Sequence, residues 1–164
     1  MSEFEDLTNL FRTLGARDPE SWALSQVSEG INQLGRFLFL RQAWRKVIDD
    51  NDVSWIDREI SEAEKHPNAP FSGTGIALKK ILGSGADPKE ISEVARGMQA
   101  DLLFSLCSLL DDPAELEDEV KDISWCLVQL SEDGQVVAPI QALHESVLET
   151  DPTGREMRPR PARN

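Results

Sequence analysis

The chain has 164 residues, a net charge of -13 and only two cysteines, a length that can bury a continuous core without disulfides or metal. So acidic a body repels nucleic acid and anionic membrane, and leaves basic proteins or further copies of itself as the partners expected, with no cofactor implied. The start, MSEFEDLTNLF, is acidic where a secretion signal is basic, and no apolar run approaches the ~20 residues that span a bilayer, so the expected location is the cytoplasm.

Phe4, Leu7, Leu10, Phe11 and Leu14 recur at helical spacing, which predicts a helix from Glu3 to Leu14 stopped by Gly15. Asp18-Pro19-Glu20 opens the next one, since Asp caps free N–H groups and Pro suits the first helical position. The same pair recurs at Asp87-Pro88 and Asp112-Pro113, with Glu90 and Glu115 three residues after the Asp as a capping box requires. A break is expected at Gly30, because an unbroken rod to Asp50 would be ~48 Å long. Ile31, Leu34, Phe37, Leu38, Phe39, Leu40, Ala43, Trp44, Val47 and Ile48 then cover most of a helical circumference, which predicts a central helix.

Ser54 is expected to cap a helix carrying Trp55, Ile56, Ile60 and Ala63 and ending at His66-Pro67. Pro67 to Thr74 reads as a loop and Ile76 to Leu82 as a short helix. Pro88 to Leu110 is the second central helix, with Ile91, Val94, Ala95, Met98, Leu102, Leu106, Leu109 and Leu110 as its core face. Asp111 to Asp122 follows as the most acidic stretch, seven carboxylates opposed by Lys121 alone.

From Ile123 the period is ambiguous. Leu116, Val120, Ile123, Leu127 and Leu130 fit one helical stripe, whereas ISWCLVQLS, then Glu132-Asp133-Gly134, then QVVAPI reads as a hairpin; the Asp-Gly turn favours the hairpin. A last helix is expected from Gln141 to Glu149. Cys107 and Cys126, each in an apolar run, read as small core residues in a reducing compartment. The fold predicted is one mainly helical domain over residues 1–154, a bundle of six or seven helices around two central ones with a small C-terminal β-hairpin, followed by a basic Pro/Arg-rich tail at 155–164.

Trp125-x-Leu127, Asp133-Gly134, Leu143-His144-Glu145-Ser146-x-Leu148 and Asp151-Pro152-x-Gly154-Arg155 together resemble the closing segment of a family of small uncharacterised bacterial proteins. The resemblance covers the last quarter of the chain. It implies a bacterial source and carries over no activity.

Motifs for catalysis are incomplete. His144-Glu145 begins like H-E-x-x-H, but Leu148 stands where the second histidine belongs. The glycines of Ser72-Gly73-Thr74-Gly75 lack the GxxxxGK[ST] spacing of a phosphate loop, so no metal or phosphate site is assigned. One arrangement is chemically pointed. Arg41 and Arg45 project among apolar positions of the central helix, and Asp101 flanks the apolar stripe of the second; burying such charges unpaired is costly. This predicts an Arg41/Arg45/Asp101 cluster, with Glu145 and His144 as further candidates. It would serve as an ion pair or as a recessed anion-binding or catalytic pocket.

The leading functional expectation is a binding or regulatory protein, of inhibitor or immunity type, that meets a basic partner or associates with itself. The candidate partner surface is Asp111, Asp112, Glu115, Glu117, Asp118, Glu119 and Asp122. A competing use of these carboxylates is to dock the chain's own arginine tail.

Overall fold

Ser2 opens the first helix, α1 (Glu3–Leu14), through a closed capping box: its hydroxyl accepts the Glu5 N–H at 3.3 Å while the Glu5 carboxylate accepts the Ser2 N–H at 2.7 Å. In this computed structural model, which describes residues 2–112 and 116–160, the order continues as α2 (Pro19–Glu29), α3 (Gln33–Trp44), α4 (Ser54–Lys65), α5 (Ser72–Gly83), α6 (Pro88–Asp111), β1 (Leu127–Leu130), β2 (Val136–Ile140) and α7 (Leu143–Ser146). The protein is mainly helical, with one two-stranded antiparallel sheet, as the sequence predicts. The described chain divides into two compact units, Met1–Trp44 with Leu102–Asn164, and Arg45–Asp101.

In the first unit the caps sit where the residues place them. The Asp18 side chain accepts the Ser21 N–H at 3.1 Å, and Gly15 and Gly30 take the left-handed conformation that ends α1 and α2. Phe11, Trp22 and Phe37, from three successive helices, meet as an aromatic trio with ring centroids 5.3 to 5.9 Å apart. Two of the three contacts are edge-on, the geometry that aromatic quadrupoles favour. Phe4, Leu7, Leu14, Ala16 and Leu34 pack around them.

Farther along α3, Leu40 and Trp44 are buried, and this helix contacts β2 and α7. The Trp44 indole N–H donates to the Val147 carbonyl at 2.8 Å. The hairpin has the predicted Gly turn, with Gly134 at φ +76° and a register irregularity between Gln129 and Leu130. A strand pair buries little on its own, so Cys126, expected in the core, is exposed. The final helix is shorter than predicted because Ala142 at φ +54° precedes it, while the Thr150 hydroxyl donates to the Ser146 and Val147 carbonyls beyond it.

Asp151, almost fully buried, organises the chain after α7. Its carboxylate accepts the Thr153 N–H and hydroxyl and the Met157 N–H, so the first residues expected in a loose tail are held to this turn. The Arg17 side chain adds a second tie, donating to the carbonyls of Glu149 and Gly154.

The second unit is built on the α4–α5 hairpin. Ser54, predicted as a cap, is itself the first helical residue: the Asp52 carboxylate, a stronger acceptor, takes both its N–H at 2.8 Å and its hydroxyl at 2.7 Å. Helix α5 starts at Ser72, where a loop was expected, and Gly75 serves packing rather than a turn. A Cβ on Gly75 would lie 2.1 Å from the Glu59 carbonyl oxygen and 2.6 Å from the Ala63 Cβ. Gly75→Ala should therefore push the two helices apart and cost about 2 kcal/mol on urea unfolding. A loss within experimental error would show that the contact is looser than described.

The N-terminal half of α6 packs by a polar stripe. Ser92 donates to the Asp52 carbonyl at 2.6 Å, Arg96 to the Ile48 carbonyl, and Gln99 accepts the Ile48 N–H at 2.7 Å. These three positions share one helical face and clamp the segment from Ile48 to Asp52 by its main chain. Of the apolar positions predicted to face the core, Val94, Met98, Leu102, Leu106 and Leu109 are exposed, while Ile91, Ala95 and Leu110 are half-buried.

Candidate functional site

The buried face of α3 runs through Gln33, Arg36, Phe37, Leu40 and Trp44. Arg36 is therefore a buried arginine, 6% exposed, which the sequence reading missed. With apolar residues round most of the helix, pattern alone left the inward face undetermined. The sequence pattern pointed to buried arginines at Arg41 and Arg45, among Ile31, Leu34, Leu38 and Ile48, and not at Arg36 beside Phe37 and Trp44. The spacing of those two large aromatics around Leu40 was the usable signal, and Arg36 falls beside them.

The Arg36 guanidinium reaches the Ser146 hydroxyl at 3.4 Å, while its Nε is buried and makes no hydrogen bond. Burial pulls its pKa down, and the carboxylates of Glu145, Asp111, Glu149 and Glu29 oppose the shift. An arginine stays charged under such conditions, so these groups act as a distributed counter-charge.

Asp111 ends α6 with a side chain only 7% exposed. One of its oxygens accepts the His144 N–H at 2.9 Å and meets the His144 Nδ1 at 2.7 Å. Burial works against its ionisation, yet these bonds and one from the Leu143 N–H prevail and hold the carboxyl below its ordinary 3.8. Facing a carboxylate, Nδ1 of His144 carries the proton, which makes Nε2 the basic nitrogen of a half-exposed ring. Cys107, one turn before Asp111, does not complete a nucleophilic set. Burial and then the Asp111 charge push its thiol up to about 11, so it stays protonated at neutral pH.

Of the residues predicted to form a pocket, His144 and Glu145 stand together on α7, and Glu145 is among the carboxylates that act on Arg36. Arg41 is half-buried on α3, Arg45 is exposed beyond its end, and Asp101 is exposed on α6. The desolvation cost that motivated their pairing does not fall on Asp101.

Of the predicted partner carboxylates, Asp111 is engaged internally by His144, and Glu115 lies outside the described residues, as does the expected helix start at Pro113. Asp112, Glu117, Asp118, Glu119 and Asp122 are exposed. The Trp125 indole N–H donates to the Leu109 carbonyl at 2.7 Å, which brings this acidic segment beside the end of α6. There Leu102, Leu106 and Leu109 of the helix, and Ile123 and Trp125 of the segment, are 40% to 59% exposed. Arg158 pairs with Glu156 at 2.8 Å, a partner within the tail itself.

Among the described residues no group of three or more His, Cys, Asp or Glu side chains is arranged to hold a metal, and no helix is long and apolar enough to cross a membrane. Compared with protein-family models, curated proteins and solved structures, the chain matches none.

Proposed function

We propose that this chain is a binding protein for a basic partner that presents an apolar face, and that the C-terminal half of α6 with residues 116–126 receives it. The observation that carries the reading is the outward turn of Leu102, Leu106 and Leu109 beside exposed carboxylates. Apolar side chains aligned on one face of a helix and left in water mark a surface that another molecule covers. Here the flanking charge is Asp112, Glu117, Asp118, Glu119 and Asp122, with Lys121 nearest in opposition, so the complementary surface is cationic.

The roles divide physically. The leucines and Trp125 supply area and set the dissociation rate, and the carboxylates steer the encounter and set its salt dependence. A cationic amphipathic helical peptide is a direct probe, with Trp125 as a reporter of its arrival. Reversing Glu117, Asp118 and Glu119 to lysine should slow its association about 10-fold at low salt, whereas Leu106→Glu should chiefly speed release. No binding of such a peptide at low ionic strength, or binding indifferent to both changes, would leave the proposal without support.

A further inference from the structure

Pro139 decides how the hairpin hydrogen-bonds. The two strands pair Leu127 with Ile140, Val128 with Pro139 and Gln129 with Ala138. Proline has no N–H, so the pairs that exchange two hydrogen bonds are Leu127 with Ile140 and Gln129 with Ala138. The Ser131 N–H, donating to the Gln135 carbonyl at 2.9 Å, keeps the same alternation toward the turn. Val128 and Leu130 therefore direct their N–H and C=O groups away from β2, to the outer edge of β1. Among the described residues no hydrogen bond closes that edge. The opposite edge is different. There the outward position of β2 is Pro139 itself, which offers no donor and blocks a third strand.

The two faces of the hairpin are also unlike. Leu127, Gln129, Ala138 and Ile140 point to one side, where Ile140 is buried and the Gln129 side chain accepts the Asn32 amide N–H at 2.9 Å. Val128, Leu130, Val136 and Pro139 point to the other. On that side Leu130 and Val136 are 54% and 67% exposed. A strand laid along β1 would satisfy its main-chain edge and set alternate apolar side chains beside Val128 and Leu130.

Charge names the occupant. Glu117, Asp118, Glu119 and Asp122 before β1, and Glu132 and Asp133 after it, are exposed, with Lys121 the only cation between residues 116 and 136. A second copy adding its own β1, in either direction, would set carboxylates of both copies against each other at both ends of the strand. A segment with alternating basic and apolar residues meets no such repulsion. We infer that β1 is a docking edge for an extended cationic segment of a partner protein, which adds as a third strand through main-chain bonds to Val128 and Leu130. This edge is distinct from the leucine face of α6 and shares with it the sign of the partner's charge.

Amide hydrogen exchange of the full chain, with and without an end-blocked peptide of about seven alternating lysines and valines, tests it. In the free chain the Val128 and Leu130 amides should exchange faster than those of Leu127 and Gln129, and saturating peptide should slow them about 10-fold or more. Val128→Pro repeats on β1 the block that Pro139 sets on β2, at an N–H the hairpin does not use, and should weaken peptide binding about 10-fold. A second measurement leaves the protein untouched. Of two peptides N-methylated at complementary alternate amides, one should lose about 10-fold in affinity and the other keep it, and glutamate in place of lysine should abolish binding. Unchanged exchange at Val128 and Leu130 overturns the proposal, as does equal binding of the two methylated peptides or of the acidic one. So does slow exchange at both amides in the free chain, the sign of a second copy or the chain's own tail on the edge. Leu106→Glu, which strikes the α6 site, should not weaken this binding, so the two readings fail separately.

Discussion

Phe11→Ala is expected to destabilise the protein by about 4 kcal/mol on urea unfolding, enough to consume much of the stability of a domain this size. Phe11 is fully buried and touches both Trp22 and Phe37 edge-on or tilted, so the truncation removes one ring's burial and two ring contacts together. The three side chains come from α1, α2 and α3, each joined to the next by a short turn, so no neighbour is free to slide in and fill the space. Phe11→Leu should recover roughly half of the loss, since it restores apolar volume without the ring geometry. A cost under ~1 kcal/mol for the alanine variant would mean that the trio is not the core of its unit.

Asp111→Ala should cost about 3 kcal/mol at neutral pH. The substitution strips an acceptor from the N–H groups of His144 and Leu143, breaks the contact to the His144 ring, and removes one of the charges that balance buried Arg36. Asp111→Asn keeps an acceptor and loses the charge, and should fall between.

The pH dependence has a definite sign. The Asp111 carboxyl is held below its ordinary 3.8, so its contribution is fully present above that value and is lost as pH falls through the lower, folded-state value. The advantage of wild type over Asp111→Ala should therefore shrink once the pH drops below about 4. Glu149 works in the opposite direction. Burial raises its carboxyl above the ordinary 4.5; Arg17 opposes the shift, Asp18 and Glu156 add to it, and a Trp22 hydrogen bond opposes it. Folding therefore favours protonated Glu149, a contribution present at low pH and lost as pH rises. The Asp111 effect must accordingly be read as a difference between wild type and variant. A difference that stays constant across the acid range would show that Asp111 acts through packing alone.

Elements were legible in the sequence wherever a local rule had no competitor. The bounds of α1, the Asp-Pro starts of α2 and α6, the break at Gly30 and the Gly134 turn all follow from backbone chemistry confined to a few residues, and tertiary contacts had no reason to move them. Ser72 to Gly75 shows the limit of such rules. Glycine is permitted in a turn and is also required where two helices touch, and only the approach of Glu59 and Ala63 distinguishes the two uses.

Which way each helix faces was decided by the tertiary structure. Around α3 apolar residues point in almost every direction, so hydrophobic burial alone was nearly indifferent to rotation; the fit of Phe37 and Trp44 to their surroundings chose the face and took Arg36 inside with them. In α6 the apolar stripe is narrow and clear, yet Ser92, Arg96 and Gln99 turn inward because main-chain groups of Ile48 and Asp52 need partners, and a buried unpaired peptide group costs more than an exposed leucine. Periodicity reports that a helix has two unlike faces. What each face meets depends on groups remote in the chain, and for Val94, Met98, Leu102, Leu106 and Leu109 that is open solvent.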